Sequence, residues 1–132
     1  METKREELTI HIEVLKRALA TLEEVLPMPY TEIVRDATIQ RFEYTFELAW
    51  KLFRKVAKIE GIDVASPRQA LRTMYELKII EDIDVWFEFL EDRNRTSHTY
   101  NRITAEQVFE SAQRMPSILQ QSLQKIEQKY TS

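Results

Sequence analysis

The sequence predicts an all-α protein, an antiparallel up-and-down bundle of four to five helices. Three observations point there. Apolar residues recur at alternating threes and fours over several long stretches, the period of a helix with one buried stripe. The 132 residues include one Gly and four Pro, which leaves a β-sandwich or a glycine-loop nucleotide fold without the positive-φ positions it needs. Hydrophobic residues make up 43% and charged residues 31%. That composition is neither disordered nor membrane-embedded. A chain of this length removes roughly two-thirds of its unfolded surface from water on folding and builds a core without staples. A single domain over residues 1–132 is expected, with no repeat, linker or low-complexity tract.

The first helix follows from Leu8, Ile12, Leu15, Leu19, Leu22 and Leu26, and Pro27 and Pro29 end it. Thr31 can cap the second, which carries Ile39, Phe42, Phe46, Ala49, Phe53 and Val56 on one stripe and stops at Gly61. Tyr44, Leu48, Trp50 and Leu52 add bulk to its other sides, so it is expected to be buried twice. The second contact reads as a dimer or partner surface, a central position in the bundle being the ordinary alternative. Ser66, Pro67 and Gln69 form a cap, first-turn proline and capping box for a third helix with Ala70, Leu71, Met74 and Leu77 inward. A fourth starts near Asp82 or Asp84, buries Val85, Trp86, Phe89 and Leu90, and runs toward Arg93. Thr104 with Gln107 reads as another capping box, opening a final helix with Val108, Ala112, Met115, Leu119, Leu123 and Ile126 inward. Pro116 should interrupt or kink it.

The absence of Cys removes disulfides, thiolate zinc sites and cysteine nucleophiles, and suits a reducing cytosol. No apolar run approaches a membrane span, and the opening METKREE is charged where a signal peptide needs an apolar stretch. A cytoplasmic location is expected, with no metal and no cofactor. The net charge of −3 argues against coating nucleic acid indiscriminately, though not against one local basic site. Charge is blocked rather than interleaved. Glu81, Asp82, Asp84, Glu88, Glu91 and Asp92 come without a base between them, and Arg93, Arg95, His98 and Arg102 follow without an acid.

Of the two histidines, His11 lies in the charged first helix with no companion ligand and reads as a surface residue. No metalloprotease, P-loop or nucleophile-elbow motif occurs, and the acidic block lacks the spacing and glycine of a calcium loop. It should solvate the outer face of the Trp86 helix. The remaining candidate is Arg93-Asn94-Arg95-Thr96-Ser97-His98-Thr99-Tyr100. On an unbroken helix Arg93 and His98 would point about 140° apart. Asn, Thr and Ser favour caps and turns, so the helix should end here, and a turn could fold guanidinium and imidazole into one pocket. Arg suits the non-bridging oxygens of a phosphodiester, and His can move a proton near neutral pH. With RNA the neighbouring 2′-OH can be the nucleophile. Pairing of Arg93 with Glu88 or Asp92, and a capping role for His98, are the structural alternatives. Neither residue belongs to an apolar stripe, so replacing either should leave the fold intact.

Arg93-x4-His98-x-Tyr100, with Asn94 after the arginine, resembles the signature of HEPN-domain proteins. The upstream segment Gln40-Arg41-Phe42-Glu43-Tyr44-Thr45-Phe46-Glu47-Leu48-Ala49-Trp50-Lys51 is similar to the second helix of the HepT-like, "nucleotidyltransferase substrate-binding" branch. The resemblance implies a helical bundle that forms a homodimer, with two motifs facing one cleft. It also implies a metal-independent, toxin-type endoribonuclease acting on RNA (tRNA the expected substrate) and leaving a 2′,3′-cyclic phosphate. A small MNT-type nucleotidyltransferase would be the antitoxin partner, blocking the cleft by transferring AMP to the tyrosine. By position, Arg93 would hold phosphate, His98 would be the acid/base, Asn94 would support the site and Tyr100 would be AMPylated. Arg95 and Arg102 would add substrate contacts, and the acidic block would face the antitoxin or solvent. The rival expectation is a non-catalytic adaptor that presents substrate to the nucleotidyltransferase. A bundle with a vestigial motif is a third.

Overall fold

A computed structural model describes residues 4–131. It contains five α-helices: α1 Lys4–Val25, α2 Glu32–Ile59, α3 Pro67–Glu76, α4 Ile83–Asn94 and α5 Arg102–Tyr130, with a one-turn 3-10 helix, Thr96–His98, between the last two. The starts obey local chemistry. Thr31, Ser66 and Asp82 accept from the backbone N–H groups of Val34, Gln69 and Val85, each satisfying one donor the first turn cannot. α5 corrects the expected capping box. Asn101, not Thr104, caps it, accepting from the N–H groups of Ile103 and Thr104 at 2.9 and 3.2 Å. α5 also runs unbroken through Pro116, because the packed stripe on either side outweighs one lost hydrogen bond.

α2 and α3 end in the same motif with different residues. Gly61 at φ 78° lets its N–H reach the Lys58 carbonyl while Ile62 reaches Ala57. After α3 the equivalent left-handed position is Lys78, φ 65°, with the paired bonds Lys78 to Tyr75 and Ile79 to Met74. Glycine takes this conformation freely and lysine at a cost.

Pairings between helices fix their directions. Glu7 meets Lys55 and Thr21 meets Tyr44, so α1 and α2 are antiparallel. Glu47 with Arg93 and Phe53 with Trp86 set α4 antiparallel to α2. Arg35 with Glu106 and Glu60 with Tyr130 set α5 parallel to it. The short α3 returns the chain from the end of α2 to the start of α4. α2 touches every other helix, whereas α1 and α4, among the described residues, do not touch one another. α2 and α5 are therefore the inner pair. Of the four residues that make the second helix apolar all round, Leu52 and Trp50 are buried within the chain, at 1% and 9% exposed, whereas Leu48 is half-buried and Tyr44 exposed. The core centres on Trp86, whose ring meets Phe53 at 5.2 Å and Phe89 at 5.4 Å near edge-on, with Phe46 at 6.3 Å. Each such ring stabilises the fold by about 1.5–3 kcal/mol through burial alone.

Five of the six residues of the acidic block are exposed, as expected of an outer face, and three of the six also reach α5. Glu81 pairs with Lys125 and Glu88 with Arg114, at 3.0 and 2.9 Å, and the buried Asp92 accepts from Ser111. These three tie α4 to α5 because the bases that match them lie on another helix, distant in sequence. Among the described residues no helix is long and apolar enough to cross a membrane.

Candidate functional site

The site lies where α4 stops. The Arg95 N–H closes the helix on Glu91 and Asp92, and the His98 N–H then reaches the Arg95 carbonyl at 2.8 Å to form the 3-10 turn. The Thr96 hydroxyl lies between the Arg93 carbonyl, at 2.8 Å, and the Glu43 carboxylate of α2. Thr99 bonds back to the Thr96 carbonyl. The polar run 94–101 therefore satisfies much of its own backbone, and the expected end of the helix inside the motif is what occurs.

Arg93 occupies the last turn of α4 and turns toward α2. Its Nη2 lies 2.7 Å from Glu47 Oε1, and its guanidinium carbon is 5.7 Å from the centre of the Phe46 ring. The side chain is 24% exposed. Its Nε is buried without a hydrogen-bond partner. Glu47 is itself held: its other oxygen accepts from the Trp50 indole N–H at 3.1 Å and lies 4.0 Å from Lys51 Nζ. Phe46 below and Glu47 beside it allow the guanidinium little rotation. Its partner is thus neither Glu88 nor Asp92, and although it lies off the apolar stripes it packs against Phe46.

His98 and Tyr100 are brought together, with ring centres 6.0 Å apart and near perpendicular. Both are exposed, Tyr100 at 86%. Asn94, the last residue of α4, is exposed as well. Within one chain Arg93 engages α2 while His98 engages Tyr100, the two flanking the same turn. Arg95 is drawn away toward α5, with Nη1 3.4 Å from Asp92 Oδ1 and 3.3 Å from Gln107 Oε1. Arg102 is exposed at the first residue of α5. His11 is half-buried beside Glu7 and Lys55, and burial with the Lys55 charge pushes its pKa down. No group of three or more His, Cys, Asp or Glu among the described residues could hold a metal ion.

Two residues were missed by sequence reasoning. Glu43 and Glu47 stand one turn apart on a helix otherwise given to core packing, and both engage the motif. Their spacing was the available signal, since two carboxylates on the α4-facing side of a buried helix require cationic or hydroxyl partners. Asp92 is the third carboxylate nearby. Burial pushes its pKa up, against the pull of the Ser111 hydroxyl and Arg95.

Residues 10–129 match the family model described as "Nucleotidyltransferase substrate binding protein like". The chain belongs to that family. It is a HepT-like HEPN protein. Among curated proteins it is 30% identical over 86 residues to "Probable ribonuclease HepT" of Haemophilus influenzae, an alignment covering 58% of this chain and 59% of that protein. The chain thus spans under two-thirds of that relative's length. Among solved structures, the crystal structure of a Thermus thermophilus protein superposes with a TM-score of 0.79 at 34% identity, covering 85% of this chain and 98% of the other. The HEPN-type fold expected from the motif is therefore the fold of this chain.

Proposed function

We propose that this HepT-like chain is a toxin-type endoribonuclease that works as a homodimer. The observation that carries the reading is the division of labour around one turn: a guanidinium clamped in the last turn of α4 and an exposed imidazole in the 3-10 turn that follows. Glu47 occupies Nη2 of Arg93 and leaves Nη1 without a protein partner among the described residues. That nitrogen can donate to a non-bridging phosphate oxygen. His98 then accepts the proton of the 2′-OH as the 2′-oxygen attacks phosphorus. The bond to the 5′-oxygen breaks, that oxygen is protonated, and a 2′,3′-cyclic phosphate remains. A second copy supplies the second imidazole this proton traffic calls for.

A nucleotidyltransferase of the MNT type is the proposed antitoxin. Tyr100 projects into solvent beside His98. AMP attached there would set an anionic phosphate next to the site's cations, in competition with RNA. Asn94 supports the turn. Arg102 remains a proposed substrate contact, and Arg95, tied to Asp92 and Gln107, a weaker one.

The test is cleavage of total tRNA in EDTA by wild type, His98→Ala and Arg93→Lys. Loss of activity in His98→Ala, on the order of a hundred- to ten-thousand-fold, supports the reading. Equal cleavage by all three means a contaminating nuclease, and no cleavage by any removes the activity. The adaptor reading draws on the inward pairing of Arg93 with Glu47, which leaves the protomer's two motif groups on different partners. An adaptor is harmless when expressed alone, whereas a toxin arrests growth until its nucleotidyltransferase is supplied. After co-expression a toxin gains the mass of AMP, and Tyr100→Phe abolishes the gain.

A further inference from the structure

Cations on this bundle fall into two groups. Those of α5 that face α4 are matched: Arg114 by Glu88 and Lys125 by Glu81. Those on the outer strip of α2 are not. Between Glu47 and Glu60 this helix carries Lys51, Arg54, Lys55 and Lys58 and no acid. Lys55 turns toward α1 and pairs with Glu7 at 2.9 Å. Lys51, Arg54 and Lys58 are exposed and follow Glu47 at intervals of four, three and four, one charge per turn in line with the Arg93 clamp. Among the described residues no carboxylate lies within ion-pairing distance of Arg54 or Lys58, and Lys51 has only the 4.0 Å approach to Glu47. Past Arg54 the strip opens into a shallow cleft lined by Arg54, Lys55, Lys58, Ile62, Asp63 and Val64.

The neighbouring helix carries two further exposed arginines. α3 rests on both α2 and α4, and its exposed Arg68 and Arg72 lie over the Phe87 ring at 4.6 and 6.0 Å. Arg54 lies over Trp50 at 5.0 Å. Flat guanidinium groups already stacked on rings have lost part of their rotational freedom, so ordering them on a ligand costs less. The net charge is −3, so concentrated positive charge here is local patterning rather than a general basicity.

We propose that Lys51, Arg54 and Lys58 of α2, with Arg68 and Arg72 of α3, form a binding track for the sugar–phosphate backbone of single-stranded RNA. The track carries the nucleotides beyond the scissile linkage away from Arg93. The inference rests on the nuclease reading for its direction, and on charge and geometry for its existence. A line of single charges at one-turn intervals, open to solvent along its length, suits a polyanion that follows a groove. An acidic protein surface is the competing occupant.

The test separates binding from cleavage. In a His98→Ala background, fluorescence anisotropy with a labelled single-stranded RNA of about a dozen nucleotides reads affinity over a series of salt concentrations. Neutralising three backbone contacts with Lys51→Gln, Arg54→Gln and Lys58→Gln should weaken binding by on the order of tenfold to a hundredfold. The slope of log K against log salt should become shallower by roughly two. A Lys51→Gln, Lys58→Gln double variant leaves Arg54 on Trp50, guards against a packing defect, and should show about two-thirds of the slope change. Unchanged affinity and slope in both variants overturn the track, also where they lose retention of the nucleotidyltransferase instead. Absence of any RNA binding in the His98→Ala background overturns it too. RNA binding that the variants weaken, in a protein that cleaves nothing, upholds the track and removes the nuclease reading.

Discussion

Glu47→Ala is the most informative single change, because one carboxylate holds both the motif arginine and a core tryptophan. Its bond to Arg93 spans 2.7 Å between side chains 24% and 32% exposed. The contact is an ion pair, and exposed ion pairs contribute about 0–1 kcal/mol. Partial burial places this pair at the upper end of that range, about 1 kcal/mol. The Trp50 indole N–H loses its acceptor as well, adding about 0.5–1 kcal/mol. Glu47→Ala should therefore destabilise by about 2 kcal/mol, lowering Tm by roughly 5–10 °C for a domain of this size. A double-mutant cycle with Arg93→Ala isolates the pair. Urea midpoints at constant m-value should give a coupling of about 1 kcal/mol. Glu47→Gln, which keeps an acceptor, should recover about half of the loss. A coupling indistinguishable from zero, or a Glu47→Ala protein that melts with wild type, would refute the clamp and with it the orientation assigned to Arg93.

Two further measurements probe the scaffold. Lys78 sits at φ 65° in the motif that Gly61 fills after α2, so Lys78→Gly should relieve strain. The net gain, after the added freedom of glycine in the unfolded chain, is about 0.5–1 kcal/mol, read as a rise of a few degrees in Tm. Asp92 titrates above its ordinary value because it is buried. A raised carboxyl favours the folded state below the unfolded pKa near 3.9 and loses that contribution as pH climbs through the folded value. Asp92→Asn should thus gain on wild type between about pH 3 and pH 6. Urea midpoints at the two ends test it, and a difference that shrinks over that interval contradicts the assignment.

The helices were legible because their signals are local. Thr31, Ser66 and Gly61 announce their own ends, and a stripe such as Ile39, Phe42, Phe46 needs no partner to be recognised. Asn101 displaced Thr104 as the cap of α5 because a cap depends on which residue first leaves helical φ/ψ, and two polar residues three apart compete for that place. Which helix becomes central is a tertiary matter. The bulk of Trp50 and Leu52 could not say whether a second copy or the chain's own helices would cover them. At the site, the break after Arg93 was readable from weak helix formers. The direction of its guanidinium was not, since Glu47 lies far upstream on another helix and only the antiparallel packing of α2 on α4 brings it into reach.

The turn that carries His98 has a consequence for motion. The Thr96 hydroxyl ties its start to Glu43 of α2, but beyond it the hydrogen bonds span three residues and most side chains face water. Arg93, one turn earlier, is anchored to the inner helix. In native-state hydrogen exchange, amides 97–100 should open with a small local free energy, while those around Phe46 and Phe53 should wait for global unfolding. Half of the motif can breathe while the other half stays still, so the imidazole can reach toward an incoming strand without loosening the bundle beneath it.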